Sequence, residues 1–483
     1  KAMEYYQKAC DEGYPYAFYS LGFMYWKGQG TLPDKEKAQE YLSQAAAMGN
    51  ESAFQLLNRM DHESEEEKDI DPFARQAYLE AQQALADKET EKYINLLSQS
   101  ANLGYVQALN DLGDLYFNGE LAPKHMGKAY EYFLKASQNG SGYGSYSCGF
   151  ILMKGSSDIP RDIEKGLSMF RLAVEQNYKA ATRDLARYYY SLETEEDNRK
   201  ALDYYLQYIE YNPKDTDTLL HIGLIYESGL GVPLNIDLAR RYYERAAEQD
   251  ETGMAYNFLG GTYMNDEETE SNERKAVHYF QKAIELGNTN AMFRISYYLH
   301  NGKGGLQVDI PREIELLTEA SKRGNHQATY RLGLLFEDNE SGMAQNLELS
   351  VKYFQLAADN GILAAINKMG ELYLFGEVIP ANLTKAISCF TAASEQGYGK
   401  ASYWLGRLHT DGIGQLEKDT QKAMNYYRKA IEQGYEETRE WMEQLPKKIL
   451  KYPKTSQTKS YTKMLKMHWR KPNSKRLTPI FPI

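Results

Sequence analysis

Three cysteines in 483 residues, Cys10, Cys148 and Cys389, are too few and too scattered to build a disulfide framework. They read as reduced thiols, and a cytoplasmic setting is the expectation. Long apolar runs are also missing. With 42% hydrophobic and 25% charged residues the composition is that of an ordinary soluble chain, and no run approaches the ~18 residues of a membrane-spanning helix. Catalytic signatures are absent too: there is no H-E-x-x-H, no G-x-x-x-x-G-K-[ST], no G-x-S-x-G and no C-x-x-C pair. S-x-x-K occurs at Ser456 to Lys459 and at Ser460 to Lys463, but without an S-D-N or K-T-G partner, so it is a coincidence of composition. The eight histidines are scattered, whereas a metal needs two or more ligands close together. The acidic loops Glu193 to Asp197 and Asp266 to Glu270 lack the spaced ligands and central Gly of an EF-hand. The expectation is a non-enzyme with no cofactor, no metal and no small-molecule substrate.

What the chain does have is a phrase rewritten along nearly its whole length. Its clearest copy is Ala401 to Tyr435, ASYWLGRLHTDGIGQLEKDTQKAMNYYRKAIEQGY. A small residue recurs after a Leu-like position, at Gly22, Gly113, Gly149, Ala186, Gly223, Gly260, Ser296, Gly333, Gly370 and Gly406. Glycine inside a helix costs about 1 kcal/mol relative to Ala, so its recurrence points to close approach of a paired helix. Ala17, Ala108, Ala255, Ala291, Ala328 and Ala401, four residues before the Leu-like position, serve the same end. A second column runs Asp34, His125, Asp162, Asp197, Asn235, Asn272, Asp309, Asn346, Asn382 and Asp419. All but His125 are Asp or Asn, whose side-chain oxygens suit the N-cap of a second helix. Closing glycines at 49, 140, 287, 324, 361, 397 and 434 fit a left-handed C-cap. Each unit is two short helices, too small to bury its own apolar face, so copies must stack into a solenoid.

The pattern A-x-x-x-L-G-x-x-Y, a loop with G-x-G in several copies, D/N-x-x-K-A, Y-Y-x-K-A-A and a closing Gly resembles the Sel-one-like repeat family, a relative of the tetratricopeptide repeats. Departures are local. Cys148 replaces Leu, Ala186 and Ser296 replace Gly, and the loops after Tyr190, Tyr263 and Glu337 lack G-x-G, which suggests splayed copies. The resemblance implies an all-α, right-handed α/α superhelical solenoid of about eleven helix-turn-helix repeats, read as one elongated body. Cys-rich relatives, to which penicillin binding and hydrolysis are attributed, close each repeat with a disulfide, and this chain lacks those cysteines.

Tetratricopeptide-like packing further implies that first helices line a concave groove, with positions five and two before and two and five after the Leu-like residue pointing inward. Carried over, this names Tyr16, Tyr19, Phe23, Trp26, Asn110, Tyr143, Tyr146, Phe150, Arg183, Arg187, Tyr190, Asn257, Phe293, Tyr297, Tyr330, Tyr403 and Arg407 as partner-binding residues. Tyr, Trp and Arg are enriched at interface hot spots, and Asn can bond an extended backbone. The cluster Tyr143, Tyr146, Phe150 and Arg187 is the favoured centre, against the alternative that such aromatics only fill space between repeats.

The solenoid is expected to span residues 1–445. It opens on KAMEYYQKACDEGY, the second helix of a repeat, so a first helix is expected upstream. It is interrupted near residues 61–87 by the acidic run DHESEEEKDID and an extra helix at about Pro72 to Ala86, which is open to reading as a lid or lateral contact. A capping helix is expected over residues 436–445, with Trp441 and Leu445 on the last unit. Residues 446–483 carry eleven Lys or Arg and no Asp or Glu, leaving 45 basic against 67 acidic residues, a net of -22, on the body. This basic tail is expected to be disordered.

The function expected is a scaffold or adaptor that binds a protein or extended peptide segment in the groove and helps assemble a complex. One alternative is a module whose tail docks on the acidic body, on nucleic acid or on an anionic membrane. The other is a hydrolase of the kind attributed to the Cys-rich relatives.

Overall fold

A computed structural model describes residues 2–11, 13–27, 34–50, 52–53, 56–57, 71–338, 345–413, 416–439 and 442. All regular elements among them are helices. The chain divides into two compact units, residues 1–249 and 250–483. The first holds α1 (Ala2–Asp11) and the hairpins α2 (Pro15–Lys27) with α3 (Lys35–Ala47), α4 (Pro72–Ala86) with α5 (Thr90–Asn102), α6 (Val106–Asn118) with α7 (Met126–Gln138), α8 (Gly142–Lys154) with α9 (Ile163–Glu175), α10 (Ala180–Tyr190) with α11 (Glu195–Tyr211), and α12 (Thr216–Ser228) with α13 (Ile236–Ala247). The second holds α14 (Met254–Met264) with α15 (Glu270–Glu285), α16 (Thr289–Asn301) with α17 (Ile310–Lys322), α18 (His326–Glu337) with α19 (Leu347–Asp359), α20 (Leu363–Phe375) with α21 (Leu383–Glu395), and α22 (Gly399–Asp411) with α23 (Thr420–Glu432).

The small-residue column is where the two helices of a hairpin meet. A Cβ on Gly113 would lie 2.4 Å from the Phe133 ring, and one on Gly223 would lie 2.3 Å from the Tyr243 ring. Each ring belongs to the paired second helix and is at most 1% exposed. Where Ser296 replaces Gly, the facing residue is the smaller Leu317, also fully buried.

A second contact explains the Tyr and Lys of the repeat. The Tyr three residues after the small position stacks on the first Tyr of Y-Y, as in Tyr25 on Tyr41 and Tyr116 on Tyr132, whose planes lie within 3° of parallel. The Lys of K-A then caps the stack, Lys37 over Tyr25 at 5.4 Å and Lys128 over Tyr116 at 4.9 Å. The copies lacking G-x-G keep this stack, Tyr189 on Tyr204 at 5.8 Å, Tyr263 on Tyr279 at 5.7 Å and Phe336 on Tyr353 at 5.7 Å, so they are not splayed.

The N-cap column holds at eight positions. His125 is among them, its Nδ1 accepting from the Lys128 N–H at 3.3 Å. Two positions are corrected. Asp197 and Asn272 are not caps, because their helices start one turn earlier, at Thr194 and Thr269, whose hydroxyls accept the N–H groups of Asp197 and Asn272. The closing glycines have φ between +81° and +94°, and bonds such as Asn50 N–H to Ala45 O at 3.0 Å satisfy the last carbonyls.

Helix α4 pairs with α5 as the first member of a hairpin. Its Tyr78, Ala81 and Ala84 share a core with Leu97, Ala101 and Leu109, and the Ser100 hydroxyl donates to Ala74 O at 2.6 Å. It is therefore neither a lid nor a lateral contact. The acidic run at 61–70, Trp441, Leu445 and the basic tail lie outside the described residues.

Candidate interaction wall

Successive first helices touch through the columns named from the sequence, so these columns form a wall in each unit. The recurring contact is an acid at one first helix accepting from a donor on an adjacent one, in either direction along the chain. In the first unit, Tyr143 donates to Asp114 Oδ1 at 2.6 Å and Tyr146 to Asp184 Oδ2 at 2.8 Å. Both rings also pack on Tyr178, at 5.7 and 5.0 Å. Burial, reinforced by the acceptor carboxylates, pushes both phenols well above the ordinary tyrosine range. These two residues are thereby committed to structure. Arg183 pairs with Asp215 at 3.3 Å and Arg187 with Asp217 at 3.0 Å, while Tyr190 meets the His221 ring edge-on at 5.2 Å.

The favoured cluster is therefore not one patch. Phe150 is 41% exposed and sits edge-on against Phe117 at 6.1 Å, and Arg187 is also exposed. Tyr16, 79% exposed, lies on α2 with the chain of rings Tyr19, Phe23 and Trp26, spaced 6.3 and 6.0 Å. Asn110 is 8% exposed and its carbonyl accepts from the Ser141 hydroxyl at 3.1 Å.

In the second unit the cations paired with the wall's Glu337 and Glu371 are lysines. Lys368 bonds Glu337 at 2.7 Å, and Lys400 bonds Glu371 at 2.9 Å. Glu371 also accepts from Trp404 Nε1 at 2.9 Å and Asn367 Nδ2 at 3.0 Å. Burial alone would raise its carboxyl, but Lys400, Lys368 and the Trp404 bond hold it below the ordinary range. Tyr330 packs on Phe354 at 5.6 Å, and burial drives its phenol far up. Arg407, 6% exposed, donates to Tyr403 at 2.7 Å, and Tyr403 packs on Tyr435 at 5.5 Å. Phe293 and Tyr297 are half-buried against the core around Ile295 and Leu332. Asn257 is 5% exposed. Asn110, Asn257 and Arg407 are thus corrected from groove-facing to buried between helices.

Asp114 and Glu371 occupy inward columns of the repeat pattern and Asp184 does not, yet each of the three lies 29 to 38 residues from its donor, about one repeat. Among the described residues no group of three His, Cys, Asp or Glu could hold a metal ion, and no helix is long and apolar enough to cross a membrane.

The repeats match the model of the Sel1 repeat in eleven segments: residues 1–14, 15–50, 106–141, 143–178, 179–207, 218–251, 253–288, 289–325, 326–362, 363–398 and 399–435. The α4–α5 hairpin falls between matched segments, so its repeat character is visible only in three dimensions. Protein sel-1 homolog 2 of Rattus norvegicus is 40% identical over 74 residues, 15% of this chain and 11% of that protein. Sel1-repeat-containing protein YjcO of Escherichia coli is 31% identical over 78 residues, 16% of this chain and 34% of that protein. The matched stretch thus spans only a minor part of either relative. A crystal structure of a protective antigen of uropathogenic Escherichia coli displaying an SLR fold superposes with a TM-score of 0.53 at 20% identity, covering 95% of this chain and 99% of that one. Eleven matched repeats over most of the sequence, together with the same stacked helical hairpins in three dimensions, make this chain a member of the Sel1 repeat family.

Proposed function

We propose that this chain is a non-enzymatic scaffold or adaptor whose first-helix wall binds a segment of another protein and helps assemble a complex. The supporting observation is that the wall leaves Phe150 and Tyr16 in solvent at 41% and 79% exposure while its other named aromatics are at least half-buried. An aromatic ring left in water is the side chain a partner would bury. Arg187, paired with Asp217 at a half-exposed site, supplies a polar rim.

The test is affinity capture from native lysate with the intact chain and with Tyr16→Ala, Phe150→Ala, Arg187→Ala. Tyr143 and Tyr146 are left alone, because removing their hydroxyls would strand Asp114 and Asp184. A protein held by the intact chain and lost by the equally helical variant supports the wall. Unchanged capture overturns it. The tail-docking alternative concerns residues 446–483, which lie outside the described residues, and among the described residues no metal-holding group favours the hydrolase alternative.

A further inference from the structure

One repeat breaks the packing rule in a way the others do not. The fourth residue after the N-cap column is Ala38, Ala129, Ala201, Ala239, Ala276, Ala386 or Ala423 in seven repeats, each fully buried, and Gly166 or Ser350 in two more. In the repeat of α16 and α17 it is Glu313, whose side chain is also 0% exposed. A carboxylate in a methyl-sized position is costly unless it is fully bonded. Here it is bonded from both sides. Oε1 accepts from Arg331 Nε at 3.1 Å and Nη2 at 2.9 Å, and Oε2 meets His300 Nδ1 at 3.0 Å. His300 stands on α16, in the same repeat, and Arg331 on α18, in the next. Both are 16% exposed, so each keeps a path to water that Glu313 does not have.

We infer that the His300–Glu313–Arg331 triad is a register lock, a contact that the native neighbour completes and most other hairpins of the chain cannot. The physical need is specific to repeat arrays. Small residues, buried rings and Tyr stacks recur in every hairpin, so apolar packing alone distinguishes one neighbour from another poorly, and exchange of equivalent elements between chains is a characteristic failure of such proteins. The position occupied by Arg331 is Ser20, Asp111, Ser147, Asp184, His221, Phe258, Arg294, Lys368 or Trp404 in the other repeats. If another hairpin docked on α16 and α17, the two Asp would repel Glu313. Ser, Phe and Trp would leave it without a cation, and His221 would offer a single ring nitrogen in place of the guanidinium's two bonds. Only Arg294 and Lys368 bring an equivalent charge. The neighbouring Ser296 and Leu317, in place of Gly and an aromatic ring, show that the same repeat is also adjusted at its hairpin contact.

The lock first requires the asymmetry of a buried ion pair, and the refolding experiment then separates register selection from simple stabilisation. In the full chain, Arg331→Met strands a fully buried carboxylate and lowers the thermal midpoint by roughly 5–10 °C. Glu313→Ala restores the residue found in seven other repeats and leaves Arg331 and His300 able to reach water, so it costs much less. Glu313→Ala combined with Arg331→Met recovers most of the loss. If Arg331→Met does not fold, the double variant decides: recovery of a cooperative fold supports the lock, and failure overturns it. An unchanged midpoint in Arg331→Met also overturns it. The register itself is read by refolding from denaturant at high protein concentration, with size-exclusion chromatography and light scattering. The triple variant His300→Leu, Glu313→Ala, Arg331→Leu is expected to give more register-shifted oligomer than the unaltered chain, whereas an exchange that keeps register brings the second chain's own Arg331 to Glu313 and is indifferent to the triad. The same size distribution for both would mean that the triad holds two repeats together without selecting them.

Discussion

At the scale of single residues, burial decides which side chains are available and which are spent. Cys148 is fully buried, and burial pushes its thiol up to about 12. Mass spectrometry after brief exposure to N-ethylmaleimide at pH 7 should therefore find it unmodified in the folded chain and modified after denaturation. Gly223 faces the Tyr243 ring at 2.3 Å from where a Cβ would be, so Gly223→Ala should cost about 1–3 kcal/mol by overpacking, read from denaturant unfolding. Glu371 gives the pH dependence. Its folded-state carboxyl lies below the ordinary 4.5, so its stabilisation is present above that pH and is lost as pH falls through the lower value. Stability of the unaltered chain should fall more steeply below about pH 4.5 than that of Glu371→Gln, measured by thermal melts across pH.

At the scale of elements, the repeat's consensus letters become contacts. The Gly column was legible because a costly residue recurred at fixed spacing, and the structure supplies the ring that needs the space. The cap column was legible at Asp34 and Asn382 but misplaced at Asp197 and Asn272. There an additional turn beginning at Thr194 or Thr269 competes with the repeat's usual start, and spacing alone does not register it. Thr269→Ala should therefore cost about 1 kcal/mol of stability, and Asn272→Ala less, since only the former removes the cap. The wall was legible as a set of columns, while the division between exposed and committed members was not. Tyr143, Tyr146 and Phe150 share one helix, yet the first two find carboxylates one repeat away while the third meets the edge of Phe117 and stays 41% exposed.

At the scale of the whole molecule, the charge pattern separates the two modes of binding. The second unit's wall has neutralised its own charges through Glu337–Lys368 and Glu371–Lys400. A partner held by wall aromatics should survive raised salt in the capture experiment, whereas one held through the eleven basic residues of 446–483 should be released. By itself the sequence determined the family, the two-helix repeat and its period, because these depend on local costs, a glycine in a helix or an Asx cap, that recur wherever the repeat recurs. Only the tertiary structure decided that Pro72–Ala86 is the first helix of a hairpin, that Asn110, Asn257 and Arg407 are buried, and that Glu313 is held by residues from two repeats. Each depends on what stands one repeat away in space, and burial and charge pairing are properties of that neighbour as much as of the residue itself.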